Sequence, residues 1–158
     1  MSSSKPSREF ASALAAAIRY TRAHVHSRQE VLQYLKRLGV SDGVGREVVA
    51  ECADRGLLDD RACARLWAEH WAKLGYAQAA IHQRLTEKAL HATAIEHAIN
   101  LVTRDSDDEA RARVVVARQL RRGRPPRSRL ARALASRGFD PDVIERVLDK
   151  AFDVPSSN

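Results

Sequence analysis

The stretch SRQEVLQYLKRLGVSDGVGREVV, residues 27–49, returns twice along the chain. It comes back as AQAAIHQRLTEKALHATAIEHAI at 77–99 and as PRSRLARALASRGFDPDVIERVL at 126–148. Few identities survive, but the apolar positions hold their register. Val31, Ile81 and Leu130 match, as do Leu35, Leu85 and Leu134, then Val40, Leu90 and Phe139. Val48-Val49, Ala98-Ile99 and Val147-Leu148 close the pattern. The offsets are 50 and 49 residues. A period near fifty indicates a modular array rather than one irregular globule. Each unit is too short to bury much core alone, so neighbours must stack or share helices. The long surface of an array suits a long ligand better than a small molecule.

Working outward from these segments, the chain reads as nine helices, three per repeat. Alanine, leucine and arginine are plentiful and β-branched alternation is absent, which makes the expected class all-α. The first repeat (8–57) has helices near 8–24, 28–38 and 44–55. Ser27-Arg28-Gln29-Glu30 has the form of a capping box. Gly39 stops the helix it opens, and Ser41, Asp42 and Gly43 form a turn. The second repeat (58–104) has helices near 60–74, 78–89 and 92–103. Asp59 caps the first of them and Asp60 adds favourable charge to its first turn. The third repeat (105–153) has helices near 107–122, 127–137 and 141–152. Asp140-Pro141 is an N-cap followed by proline at the first helical position. Residues 1–7 and 154–158 read as tails. The whole is expected to form an elongated, curved array.

At 158 residues with 44% apolar content the chain can pack helices, but no run of eighteen apolar residues offers a membrane span. Met1 to Ser7 lacks the apolar stretch of a secretory signal, and the two cysteines, Cys52 and Cys63, sit in helical apolar patterns. The expectation is a cytoplasmic protein with reduced, buried thiols. Net charge is +7, unevenly spread. Residues 1–37 carry +5, 38–110 carry −5, 111–137 carry +10 and 138–158 carry −3. Of the 27 basic side chains 22 are arginine, the residue preferred where planar forks meet phosphate or carboxylate. Such asymmetry points to a polyanion, or to two surfaces serving different partners.

The arginine segment is the first candidate site. Arg111, Arg118 and Arg122 are spaced to share one helix face. Arg124 and Arg127 flank Pro125-Pro126, and Arg129 and Arg132 open the next helix. This band is suited to neutralising several phosphates or an acidic protein surface. A solvated helix face is the competing reading. Arg19, Arg22 and Arg28 form a weaker second band. Trp67 and Trp71, four apart on one helix, read as core filling rather than a base-stacking platform. Helix capping accounts for Asp59 and Asp60. The six histidines are scattered, with no zinc spacing, no phosphate-cradling glycine loop and no nucleophile elbow. No catalytic residue, metal or cofactor is expected, and the chain reads as a binding protein, not an enzyme.

Four stretches resemble the RecX family. Gly56-Leu57-Leu58-Asp59-Asp60-Arg61 resembles its most characteristic motif. Ser27-Arg28-Gln29-Glu30-Val31 with Leu35 resembles its first-repeat segment. Gly75-Tyr76 with Ile81 and Leu85 resembles the second, and Arg137-Gly138-Phe139 with Ile144 and Val147 the third. The resemblance spans about residues 10 to 152. Departures are Cys63 in place of phenylalanine, Ala77 and Ala89 in place of glycines, and His24 in place of arginine. The resemblance implies an elongated three-helix-repeat protein that binds the groove of the RecA–single-stranded DNA filament. It further implies restraint of filament growth, ATP hydrolysis and strand exchange. The arginines make single-stranded DNA a second candidate partner, and the capped ends make a monomer the expected form. The alternative is a stand-alone, sequence-nonspecific DNA-binding helical repeat protein. The acidic block at 38–110 argues against that alternative.

Overall fold

The computed structural model describes residues 7–153, which form nine α-helices and no strand among the described residues. In chain order these are α1 (Arg8–Thr21), α2 (Arg28–Arg37), α3 (Asp42–Asp54), α4 (Asp60–Lys73), α5 (Gln78–Glu87), α6 (Ala92–Asp105), α7 (Asp108–Arg122), α8 (Arg127–Ala135) and α9 (Pro141–Phe152). The expected tails, apart from Ser7, lie outside the described residues. Ser7 is the N-cap of α1, its hydroxyl accepting from the Phe10 amide.

Local chemistry sets most of the boundaries. Ser27 and Glu30 exchange both bonds of a capping box, at 3.1 and 2.9 Å. Asp59 accepts from the Ala62 amide at 3.0 Å, and Asp140 with Pro141 opens α9. Five boundaries differ from the sequence reading by two residues or more: α5 and α8 end two residues earlier and α6 two residues later, and the other two involve contacts with distant residues or the backbone. The first helix stops at Thr21, whose hydroxyl turns back to the Ile18 carbonyl, so that the chain reaches Ser27 extended. The third begins at Asp42 rather than after a turn at 41–43. The Ser41 side chain does not cap it; instead the Ser41 amide donates to Glu9 Oε1 at 2.9 Å, which ties the start of α3 to α1.

Each repeat has its own core. Val31, Leu35, Val48 and Cys52 are fully buried in the first. Ile81, Leu85, Ile95 and Ala98 belong to the second, and Leu130, Leu134, Val147 and Leu148 to the third. The register read from the sequence is thus the register of burial. Substantial helix packing stays within a repeat: α1 and α2 on α3, α4 on α5 and α6, α7 and α8 on α9. Successive repeats meet only at narrow joints, which makes the array elongated.

The joints are polar ties plus close backbone approach. At the first, the Asp59 amide donates to the His26 carbonyl at 3.3 Å, while Leu57 and Leu58 pack on the first core. Asp60 Oδ1 accepts from the Arg28 amide at 3.0 Å and its Oδ2 from the His91 amide at 3.2 Å. At the second joint, Asp108 Oδ1 accepts from the Gln78 amide at 2.8 Å and the Ala77 amide donates to the Arg137 carbonyl at 3.0 Å. Ala77 itself is buried in the core of the third repeat.

After the second helix of each repeat the chain turns through a left-handed residue. Gly39 and Gly138 do so at φ 82° and 83°, but Ala89 does so at φ 53°. A Cβ in this region is strained by about 1–2 kcal/mol, partly offset by the extra freedom glycine has when unfolded. Ala89→Gly is therefore expected to stabilise the protein by about 0.5–1 kcal/mol, seen as a rise of about 2 °C in thermal melting. A lower melting temperature would show that the Ala89 methyl contributes more by contact than it loses by strain.

Candidate functional site

The arginines of residues 111–137 do not form one continuous surface. Arg111 is the exception that matters most. It is 4% exposed, with Nη1 donating to the Val102 carbonyl at 3.2 Å and to the Ser106 carbonyl, and Nη2 paired with Asp108 at 2.7 Å. Its guanidinium closes the end of α6 and is unavailable to a ligand, which corrects its placement in the surface band. Cys63, forty-eight residues earlier, occupies the matching position on α4 and is also buried.

The others reach solvent to different degrees. Arg118 is exposed but donates to the Lys73 carbonyl at 3.0 Å, covering the end of α4. Arg127 is half-buried and held by Glu145 at 2.8 Å and Asp149 at 2.7 Å. The Asp149 hydrogen bond leads in raising its pKa; desolvation opposes it, and the Glu145 hydrogen bond adds to the rise. Its charge is thereby spent within the repeat. Arg122, Arg124, Arg129 and Arg132 are exposed and make no ion pair among the described residues. Arg121, which the sequence reading passed over because it lies off the 111–118–122 face, joins them. The nearby acid on α7 is silenced. Glu109 takes Lys150 at 2.8 Å, Arg146 at 3.5 Å and Arg113 at 3.6 Å, and the Lys150 hydrogen bond leads in holding its carboxyl below the usual range. The surface from the end of α7 into α8 therefore stays strongly positive.

In the first repeat, Arg19 and Arg22 lie one turn apart at the end of α1 and Arg28 opens α2. All three side chains are exposed and make no ion pair among the described residues. The central repeat differs. Trp71 is buried, Trp67 half-buried, and their rings stack at 5.2 Å. Lys88 covers the Trp67 ring at 3.9 Å and Arg84 covers Tyr76 at 4.3 Å. The ring faces are already occupied by cations, each such contact worth about 0.5–1 kcal/mol at exposed sites.

The remaining chemistry is structural. Both cysteines are free and buried, and burial pushes the Cys63 thiol up to about 12. Tyr20 lies in a ring stack between His26, at 4.2 Å, and Tyr34, at 4.1 Å. No group of three metal-ligating side chains occurs among the described residues, and no described helix is long and apolar enough to cross a membrane.

Comparison with known proteins adds what geometry alone does not. A family model for the third three-helix domain of RecX matches residues 107–148. The regulatory protein RecX of Streptomyces coelicolor is 31% identical over 134 residues, covering 80% of this chain and 70% of that protein. The chain belongs to the RecX family. The regulatory protein RecX of Stenotrophomonas maltophilia is 30% identical over 125 residues, covering 77% of this chain and 76% of its own length. Among solved structures, RecX from Lactobacillus salivarius superposes with a TM-score of 0.70 at 18% identity, over 90% of this chain and 96% of that one. A second regulatory protein RecX gives 0.74 at 19% identity, over 89% of this chain and 72% of that one. At such identity the likeness is one of fold.

Within the RecX frame the motif residues have structural jobs. Gly56 turns at φ 70°, Leu57 and Leu58 pack on the first core, and Asp59 and Asp60 tie the first repeat to the second. Phe139 is buried in the third core beside Gly138. The residues quoted for the resemblance thus serve the joints and turns of this array. The exposed arginines lie outside the quoted motifs, apart from Arg28 and Arg61.

Proposed function

We propose that this protein is a non-enzymatic regulator of a RecA-type recombinase, binding the RecA–single-stranded DNA filament and restraining its growth, ATP hydrolysis and strand exchange. The observation that carries the reading is the pairing of RecX membership with a three-repeat array whose terminal repeats present unpaired arginines. The arginines of the first and third repeats meet anionic surface on the filament, DNA phosphate or acidic protein. The stretch 38–110, with a net −5 contributed by the end of the first repeat and the start of the third on either side of the central one, faces basic elements between them. A monomer bound in this way bridges successive protomers and opposes the relative motions that hydrolysis and exchange require.

The test is recombinase ATPase activity on single-stranded DNA while the protein is added in amounts too small to coat the DNA. Inhibition there, with weak binding to bare DNA, supports the reading. Inhibition only at DNA saturation favours the stand-alone DNA-binding alternative. Neutralising Arg122, Arg124, Arg129 and Arg132 together to alanine is expected to weaken filament binding by tenfold or more. The slope of log affinity against log salt should shrink by about 3, near 0.7 per lost contact on a single strand. An unchanged slope would remove this band from the interface.

A further inference from the structure

The two joints of the array are built alike. At each, an aspartate at the first residue of the incoming helix accepts from the first amide of the preceding repeat's second helix: Asp60 from Arg28 at 3.0 Å, Asp108 from Gln78 at 2.8 Å. Around the second joint, Arg118 reaches the Lys73 carbonyl, Val115 lies over Gly75, Ala77 bonds to Arg137, and Gly138 closes on Ala80. The receiving residues of the second repeat are therefore Lys73, Gly75, Ala77, Gln78 and Ala80, mostly small and neutral. On the third repeat the matching positions hold Arg121 and Gly123, forty-eight residues on as Asp108 is from Asp60, and Pro126, Arg127 and Arg129, forty-nine residues on. The third repeat thus carries the receiving face of a joint, rebuilt in arginine. Arg121 and Arg129 on that face are exposed and unpaired among the described residues.

We propose that this face of the third repeat docks the acidic start of a helix on a partner protein, with a carboxylate entering where Asp108 enters at the second joint. Charge complementarity selects the occupant. A helix arriving as α7 arrives on the second repeat brings its first-turn carboxylates toward the receiving face, and the unpaired guanidinium forks of Arg121 and Arg129 match them. A basic or neutral helix would leave those arginines crowded without counter-charge. This chain's own Asp59-Asp60 and Asp107-Asp108 starts are already committed to the inner joints and are not free to dock in a second copy. Phosphate would also attract arginine, but both inner joints show the surface receiving a helix start, not a strand of alternating phosphates. The inference rests on the proposed function and refines it by choosing protein over DNA as what the third repeat meets.

The experiment titrates the full-length, nitrogen-15-labelled protein with a synthetic helical peptide whose first turn copies residues 106–109, Ser-Asp-Asp-Glu, followed by a neutral alanine-rich segment. The same peptide with asparagine for both aspartates, and a short oligothymidylate, are run alongside. The expected result is saturable shifts of the Arg127 and Ser128 amides with the acidic peptide and none with its amide counterpart. The double variant Arg121→Ala, Arg129→Ala should bind the acidic peptide about tenfold more weakly. Absence of those shifts, or oligothymidylate moving the same amides and displacing the peptide, overturns the inference. ATPase inhibition by the wild-type protein reads the proposed function separately. If inhibition persists while the peptide fails, only the docking assignment falls.

Discussion

Arg111→Ala is expected to destabilise the third repeat by about 3–5 kcal/mol, the range for removing one member of a buried ion pair. The side chain is almost wholly enclosed and satisfies two carbonyls at the end of α6 while pairing with Asp108. Removing it leaves the Ser106 carbonyl without this donor, and deprives Asp108 of its cation at the very place where Asp108 holds the Gln78 amide. A urea titration followed by circular dichroism reads the loss. Arg111→Met is expected to lose less, about 1–2 kcal/mol, because the matching position on α4 is filled by apolar Cys63. Full stability with weakened filament binding would return Arg111 to the surface band.

Gly75→Ala is expected to lose about 2–4 kcal/mol, concentrated at the second joint. Two effects add. Gly75 turns at φ 86°, where a side chain is strained, and a Cβ built there collides with Val115 Cγ2. Val115 is buried in the core of the third repeat, so the collision is transmitted from the end of α4 into a different repeat. Combining Gly75→Ala with Val115→Ala should lose less than the sum of the single changes, because the smaller side chain makes room. Strict additivity in thermal or urea unfolding would show that the damage is conformational strain at Gly75 alone.

These two positions show what was legible in the sequence and what was not. The helices, their caps and the three cores follow from spacing and local chemistry: Leu35, Leu85 and Leu134 lie at matching offsets and all are fully buried. A capping box is closed within four residues, so Ser27 and Glu30 declare themselves. Arg111 could not be placed in the same way. A long cationic side chain on an amphipathic helix can face water or turn inward, and only the approach of the α6 end decides it. Asp60 and Asp108 were read correctly as helix-start residues, yet their partners, the amides of Arg28 and Gln78, lie about thirty residues earlier. No local pattern announces a bond across that separation. The end of α1 at Thr21 and the early start of α3 have the same origin, since Glu9 and the stretch leading to Ser27 serve contacts outside their own helix.

The unequal joints give the array an uneven stiffness. The first is held by a few hydrogen bonds around Asp59 and Asp60, whereas the second also sinks Ala77 into the neighbouring core and locks Gly75 and Gly138 against Val115 and Ala80. Mechanically, the second and third repeats form one lever and the first repeat a separate link pivoting on it. Torque applied by a helical partner would be absorbed at residues 56–61, leaving the grip of the arginine-bearing lever undisturbed.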